Sequence, residues 1–178
     1  MMMLRTGEII NIARTEWKLG QIIMGMDFKI VDLKPQNALA IREEVSNQEV
    51  SKKIREIFGE LMAFFQRNRV QMAGPPFALY HSWSDTKTVM EVGFPVAVQV
   101  KGEGRVQPVV LPAGKTVTGF HMGPYERLCE TYGNMQKWMA EKGVKPASRM
   151  WEVYMTDPEK EKDPAKFVTQ LFWLIEPQ

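Results

Sequence analysis

The sequence predicts an α+β protein built from two similar halves, each with the element order strand, helix, strand, strand. Three observations lead to this expectation: two amphipathic helical stripes, an ungapped similarity running from each helix into the next strand, and an apolar strand that closes each half. The 178 residues are enough for one domain of ordinary size, or for two small halves that share a core.

The two helices are predicted from apolar residues at three- and four-residue spacing, which fall on one helix face. The first stripe consists of Val50, Ile54, Ile57, Phe58, Leu61, Met62 and Phe65, and the second of Tyr125, Leu128, Cys129, Tyr132, Met135 and Met139. Ser46 and Glu49 have the spacing of a capping box at the start of the first helix. Gly143 suits the end of the second helix because glycine readily adopts positive φ.

A repeat appears when RVQMAGPPFALYHS (69–82) is set above GVKPASRMWEVYMT (143–156). Phe77 then matches Trp151, Tyr80 matches Tyr154, and the same offset relates Phe58 to Tyr132 in the helices. TVMEVGFPV (88–96) pairs with FVTQLFWLI (167–175), and IVDLKPQNALAIR (30–42) pairs loosely with VVLPAGKTVTGFH (109–121). Two amphipathic helices could match by coincidence, but this match continues through loop and strand.

These matches place repeat 1 at about 27–99 and repeat 2 at about 106–178, joined by a turn or short linker at 100–109. Residues 1–26 are expected to form an extension before the domain, either a short helix, a disordered arm or over-extended translation.

Alternation along the strands predicts which side chains share a face. In the last strand of each half, the larger apolar residues are expected under the helix. In the middle strands we assign Phe77 and Leu79, together with Trp151 and Val153, to that same side. The opposite surface would then line a cleft between the halves and carry Glu152, Tyr154, Tyr80, Glu91, Phe172 and Gln170.

Glu152 is the main candidate because it is a carboxylate inside an apolar, aromatic strand, SRMWEVYMTD (148–157). A buried carboxylate must be protonated, hydrogen-bonded or paired with a positive group, since its burial is otherwise costly. An aromatic pocket with an acid at its base suits a flat or greasy cation. A glutamate on the open face of a sheet can also simply be solvated, and the pattern alone leaves that alternative open.

The composition argues against several other classes. The net charge is +2 without a basic cluster, so direct nucleic-acid binding is not expected. No apolar run reaches the roughly 18–20 residues that span a bilayer, and no signal peptide is recognised, so we expect no membrane partner and a cytoplasmic location. The lone Cys129 fits a reducing compartment, and with His81 and His121 it makes a poor zinc set, so neither a metal nor a cofactor is predicted.

An ordered set of residues in the second half resembles a known family. A strand ends in a His-x-Gly-Pro-Tyr turn, a helix with a late Trp follows, and then come a Gly and a Glu-x-Tyr strand that runs into Asp-Pro. The residues are His121, Gly123, Pro124, Tyr125, Trp138, Gly143, Glu152, Tyr154, Asp157 and Pro158. This pattern resembles the effector-binding domain of the gyrase-inhibitor-like (GyrI-like) superfamily over about residues 27–178. The first half departs from it, because it lacks the Gly-Pro-Tyr turn and has Ala78 where the second half has Glu152.

The resemblance implies tandem duplicated βαββ modules with pseudo-twofold symmetry, antiparallel sheets, one main helix per half and a ligand cleft between the halves. In multidrug-sensing regulators of this family, a Glu at the position of Glu152 lies at the base of an aromatic pocket and meets lipophilic cations. Some stand-alone members are similar hydrolases that open cyclopropane-bearing toxins with a Glu and a Tyr. Other relatives bind and inhibit DNA gyrase.

We therefore expect a stand-alone module that captures a hydrophobic, cationic or aromatic small molecule. The predicted ligand-binding residues are Glu152, Tyr154, Tyr125, Tyr80, Glu91, Phe172 and Gln170. The alternative is a hydrolase of electrophilic, cyclopropanoid-type molecules, in which Glu152 acts with Tyr154 or Tyr125. A second alternative is a protein-binding inhibitor of DNA gyrase, which leaves a protein partner open. The sequence does not separate binder from enzyme, because both use the same acid and aromatics, and it gives no oligomeric state.

Overall fold

Eight antiparallel strands form a single sheet that curls into a half-barrel, with two helices on one of its faces. The structure is a computed structural model that describes residues 27–177, so the expectation for residues 1–26 lies outside the described residues. The strands are β1 (Lys29–Leu33), β2 (Gln36–Ser46), β3 (Phe77–Trp83), β4 (Lys87–Pro95), β5 (Gln107–Leu111), β6 (Gly114–Met122), β7 (Pro146–Tyr154) and β8 (Val168–Ile175). The helices are α1 (Val50–Asn68) and α2 (Leu128–Glu141). The predicted α+β fold is confirmed.

The strand order β1-β6-β8-β7-β3-β4-β2-β5 shows that the halves exchange one strand each. β1 is the first strand of the first half but pairs with β6 of the second, and β5 is the first strand of the second half but pairs with β2 of the first. The segments 30–42 and 109–121, predicted as one strand each, are interrupted at Pro35 and Pro112. Proline has no backbone N–H and a fixed φ, so the ladder stops there. Part of the predicted linker, from Gln107 onwards, is therefore strand β5.

Each helix buries its apolar stripe against its own half of the sheet. α1 buries Ile57, Leu61, Phe64 and Phe65, and α2 buries Leu128, Thr131, Met135 and Met139. The expected helix end at Gly143 has φ 66°, and its repeat equivalent Arg69 adopts the same left-handed conformation at φ 54°. The capping box differs from the expectation. Ser46 ends β2, and its hydroxyl donates to the Glu49 carboxylate at 2.6 Å, while the helix begins at Val50.

Both faces of the sheet are buried, which corrects the expected orientation of the middle strands. Tyr80 and Ala78 of β3 pack with the α1 core, whereas Phe77 and Leu79 join Trp151 of β7 in a separate cluster on the opposite face. The expectation was the reverse. It rested on side-chain size, which cannot choose a face when the curl of the sheet buries both. The last strands β4 and β8 do turn their larger apolar residues toward the helices.

Within residues 27–177, neither helix is long and apolar enough to cross a membrane.

Candidate functional site

Glu152 lies on β7 beneath the helices and is almost fully buried, at 5% exposure. Three phenol hydroxyls donate to its carboxylate. Tyr154 reaches Oε2 at 2.7 Å, Tyr80 reaches the same oxygen at 3.2 Å, and Tyr132 reaches Oε1 at 3.1 Å. The donors come from β7, β3 and α2, so both halves of the protein hold the acid. We refer to these four residues as the Glu152 cluster.

The cluster sits on the pseudo-twofold axis of the repeat. Ala78 and Glu152 are equivalent in the repeat, and they are also direct partners across the β3–β7 pair. The neighbouring pairs are Phe77 with Val153 and Leu79 with Trp151. The register is therefore symmetric about Ala78 and Glu152, which places the axis between them. Tyr80 and Tyr154, also equivalent, accordingly approach the same carboxylate oxygen from the two sides.

Burial raises the pKa of Glu152, and the hydrogen bonds from Tyr154, Tyr132 and Tyr80 partly oppose that rise. No cationic side chain of residues 27–177 is among the groups that shift it. Burial also raises the pKa of each of the three phenols well above the ordinary range, and the nearby Glu152 charge adds to the effect. The phenols are therefore neutral donors at neutral pH, and the cluster carries a negative charge whenever Glu152 is ionised.

Aromatic rings surround the cluster on the helix side. Phe58 of α1 meets the Tyr154 ring edge-on, with centroids 6.0 Å apart, and Tyr125 meets the same ring at 5.5 Å. Tyr125 also contacts Phe167 at 5.3 Å. Phe58, Tyr125 and Tyr154 are only partly buried. Rings from both halves thus lie between solvent and the acid, which suits a ligand that is apolar and positively charged.

The structure brings together four of the predicted site residues: Glu152, Tyr154, Tyr80 and Tyr125. It places the other three on the opposite face of the sheet. β4 and β8 face as expected, but the middle strands β3 and β7 turn Tyr80 and Glu152 toward the helices, which is the reverse of the expectation. Phe172 stacks on Trp151 with ring centroids 5.1 Å apart, and Gln170 donates to Thr118 at 3.1 Å.

Glu91, the third of these residues, lies beside Arg42 and His81 rather than in the cluster. Its carboxylate is 3.6 Å from Arg42 Nη1. His81 Nε2 is 3.2 Å from Glu91 Oε2, but the orientation is unsuitable and this nitrogen makes no hydrogen bond. The two groups are close but share no directed hydrogen bond, since a hydrogen bond needs alignment as well as distance. The Glu91 carboxylate therefore does not belong to the Glu152 cluster.

Sequence reasoning missed Tyr132 as a site residue. It was predicted as part of the α2 apolar stripe, and its repeat equivalent is Phe58. The difference between Phe58 and Tyr132 was the signal available in the sequence. A hydroxyl on an otherwise apolar stripe needs a buried hydrogen-bond partner. The partner is Glu152, 20 residues further along the chain.

His121, near the end of β6, is buried and has both ring nitrogens engaged. Nε2 lies 3.1 Å from the carbonyl oxygen of Pro124, and Nδ1 lies 2.8 Å from the hydroxyl of Thr131. Because a carbonyl only accepts, Nε2 donates to Pro124, whereas the Thr131 hydroxyl can donate to Nδ1 or accept from it. The ring therefore ties β6 to the start of α2 and fixes the turn that presents Tyr125.

Among residues 27–177, no group of three or more His, Cys, Asp or Glu side chains is arranged to hold a metal ion.

Solved structures with the same fold include a protein seen in a complex with DNA and a hydrolase. The C-terminal domain of EcmrR superposes with a TM-score of 0.74 at 20% identity, covering 85% of this chain and 98% of that domain. EcmrR in its complex with DNA gives 0.76 at 21% identity, over 85% of this chain, which spans 58% of the EcmrR chain. A hydrolase from Listeria innocua gives 0.60 at 15% identity, covering 84% of this chain and 92% of that one.

SAV2435, whose structure holds tetraphenylphosphonium, gives a TM-score of 0.57 at 10% identity, covering 85% of this chain and 94% of that one. At these identities the similarity shows the fold alone. No curated protein sequence matches the chain. The family model described as a GyrI-like small molecule binding domain matches residues 26–176. With that match over most of its length, the chain belongs to the GyrI-like family.

Proposed function

We propose that this protein binds a lipophilic cation between its two halves, with Glu152 as the counter-charge. One observation carries the proposal: a nearly fully buried carboxylate is held by three phenols, and no cationic side chain of the described residues shifts its pKa. A buried charge without an opposite partner is costly. A bound cation would supply the missing partner, and it would do so in surroundings where the attraction is only weakly screened.

The neighbouring groups support a cation rather than a neutral ligand. The three phenols stay protonated because their pKa values are raised, so they orient the carboxylate without adding charge. Tyr125 and Phe58 offer partly exposed ring faces near the acid. Ring faces attract cations, and their area also favours an apolar body. SAV2435, which shares the fold, has been seen with tetraphenylphosphonium, a cation of this type.

The test is isothermal titration calorimetry with tetraphenylphosphonium on the wild type and on Glu152→Gln. The amide keeps the size of the side chain and removes the charge, so affinity is expected to fall about tenfold or more. Triphenylphosphine oxide, a neutral molecule with similar rings, should bind the two proteins equally. Glu91→Gln is the matched control, because it removes an acid from the opposite face. Equal affinity of wild type and Glu152→Gln for the cation would overturn the proposal.

A hydrolase remains the second candidate, favoured by one contact. The Glu152 carboxyl has a raised pKa and lies 2.7 Å from the Tyr154 hydroxyl. A carboxyl with a pKa moved toward neutrality, next to a phenol, can exchange a proton with an electrophilic substrate. Incubation with a cyclopropane-bearing electrophile should then give a product heavier by one water, at a rate that Glu152→Gln abolishes. Full recovery of the substrate by mass spectrometry after long incubation would exclude turnover of that compound.

A further inference from the structure

Thr169, on β8, has a fully buried side chain, at 0% exposure. Its hydroxyl Oγ1 makes no hydrogen bond with any group of residues 27–177. Buried side-chain hydroxyls in native proteins nearly always have a partner, so an orphaned one calls for an explanation. The proposed function as stated gives Thr169 no part.

The repeat shows that this position does not require a hydroxyl. Thr169 is equivalent to Met90 of the first half. Each pairs with the equivalent tyrosine of the neighbouring strand, Thr169 with Tyr154 and Met90 with Tyr80. Met90 is fully buried as well, and it packs in the apolar core beneath α1. An apolar side chain therefore fills the position in the first half, whereas the second half places a shorter, polar one there.

The strand register places Thr169 beside the Glu152 cluster. Glu152 pairs with Leu171 on β8, and Tyr154 pairs with Thr169. Thr169 and Glu152 are therefore diagonal neighbours on adjacent strands and share the face beneath the helices. Diagonal neighbours lie about 7–8 Å apart, and the two hydrogen bonds of one N–H-bearing group, each about 2.9 Å, cover most of that separation. A single small cation can contact both side chains.

The Tyr125 ring covers this corner of the cluster. It contacts Tyr154, the strand partner of Thr169, and Phe167, which precedes Thr169 by two residues on the same side of the chain. Tyr125 is only partly buried and lies in the short turn before α2. Entry of a ligand here requires the Tyr125 ring to shift, but it breaks no strand pair.

We infer that Thr169 is a specificity-determining residue, whose hydroxyl oxygen accepts a hydrogen bond from an N–H group of the bound cation. This inference rests on the proposed function and narrows its ligand class to cations that carry N–H groups, such as protonated amines and amidines. Quaternary ammonium and phosphonium cations have no such donor. They leave the hydroxyl without a partner in the complex, which lowers their affinity relative to an N–H-bearing cation of the same shape.

The experiment measures, by calorimetry, the binding of naphthylmethylammonium and of its trimethylammonium analogue to wild type, Thr169→Val and Thr169→Ser. Valine keeps the shape of threonine and removes the hydroxyl, whereas serine keeps the hydroxyl. Thr169→Val should weaken the N–H-bearing cation about tenfold and leave the trimethyl analogue within about twofold. Thr169→Ser should keep the affinity for the N–H-bearing cation within about threefold of wild type.

Thr116→Val is the matched control. Thr116 is also fully buried, but it lies on the opposite face, and its hydroxyl donates to the carbonyl of Gly114 at 3.0 Å. This variant should leave both affinities unchanged and lower the unfolding temperature. Thr169→Val should have an unfolding temperature equal to or above that of wild type, because it removes no hydrogen bond of the folded protein. A lower value would mean that the hydroxyl already has a partner within the protein, and would overturn the inference.

The outcomes separate this inference from the proposed function. If Glu152→Gln weakens both cations while Thr169→Val changes neither, the proposed function stands and the role of Thr169 is wrong. An equal loss of both cations in Thr169→Val would mean general damage to the site, and would also overturn the inference. If the wild type binds tetraphenylphosphonium but not the N–H-bearing cation, only this inference fails. If it binds none of the three, the proposed function fails and this inference fails with it.

Discussion

The first half of the protein places Ala78 where the second half places Glu152, and the two residues face each other across the central strand pair. The phenols on these strands, Tyr80 and Tyr154, are the same in both halves. On the helices, Phe58 stands where the second half has Tyr132. A strictly symmetric protein would bring two carboxylates to about 4.5–5.5 Å between Cβ atoms on its axis. The asymmetry shows that such an axis can hold one buried acid, supported from both sides, because its counterpart is small and uncharged.

The largest expected effect comes from restoring symmetry with Ala78→Glu. A second buried carboxylate beside the first should lower the free energy of unfolding by more than about 3 kcal/mol at neutral pH, through repulsion, desolvation and crowding. Stability should recover partly as the pH falls, because one of the two acids becomes protonated. Ala78→Gln has the same bulk without the charge, so the difference between the two variants in urea unfolding isolates the electrostatic part. Equal stabilities would show that crowding alone matters.

The next effect tests whether the two equivalent phenols share the acid equally. Tyr154→Phe removes the 2.7 Å hydrogen bond, and Tyr80→Phe removes the 3.2 Å one, both to the same oxygen. Each change should reduce the free energy of unfolding by about 1–2 kcal/mol, with the larger loss for Tyr154, whose bond is shorter. Each should also raise the Glu152 pKa further, measurable from the carboxyl carbon chemical shift. A larger shift for Tyr80→Phe would contradict the order of the distances.

The pH dependence of folding stability distinguishes Glu152 from Ala78, its uncharged equivalent in the first half. Burial raises the folded-state pKa of Glu152 above its ordinary value of 4.5. The folded protein then holds this proton to higher pH than the unfolded chain does. Its contribution to stability is full below the unfolded pKa and is lost as the pH rises through the folded pKa. The stability advantage of Glu152→Gln over wild type should therefore grow upward from about pH 4.5 and then level off.

A cation bound to Glu152 favours the ionised acid, so wild-type cation affinity should rise with pH across that same window. Calorimetry in two buffers of different ionisation enthalpy would detect the released proton. If the cation affinity does not vary between pH 4.5 and 8, the ligand does not interact with the ionised Glu152 carboxylate.

The smallest effect concerns the two helix ends. Arg69 and Gly143 are equivalent and both adopt positive φ, and each helix closes with the same bond, from Val70 to Phe65 and from Val144 to Met139. Only glycine adopts this conformation without strain from a Cβ. Arg69→Gly should therefore raise the free energy of unfolding by about 0.5–1 kcal/mol. Gly143→Arg is the reverse change, and it should destabilise by a similar amount in the same urea titration.

Sequence patterns predicted the repeat, the two helices and the closeness of Glu152, Tyr154, Tyr80 and Tyr125, because these depend on local spacing and on strand pairs within the repeat. Which face these residues occupy was predicted wrongly. Phe77 and Trp151 are large and apolar, yet they lie opposite the helices, since the curled sheet buries that face as well. A large apolar side chain indicates that its position is buried, but it does not indicate which element covers that position.

Two other features depend on contacts between distant segments and leave little local signal. The pairing of β1 with β6 and of β5 with β2 joins strands that no turn connects. The face that Trp83 occupies depends on a one-residue bulge after Tyr80, which reverses the alternation from which that face would be predicted. The contact between Tyr132 and Glu152 depends on how α2 is rotated about its own axis. An apolar stripe defines that rotation only approximately, so the contact could not be predicted from the stripe.

The exchange of β1 and β5 makes each half incomplete without the other. A half with its first strand donated to a neighbour has the geometry of one subunit in a strand-swapped dimer. Here the segment between β4 and β5 joins the two halves in one chain. The two halves can therefore pair around the axis without meeting a second molecule. The effective concentration of one half around the other is fixed by a short connection rather than by protein abundance. The Glu152 cluster on the axis is therefore complete in a single polypeptide even at very low protein concentration, and the two halves around it are free to differ in sequence.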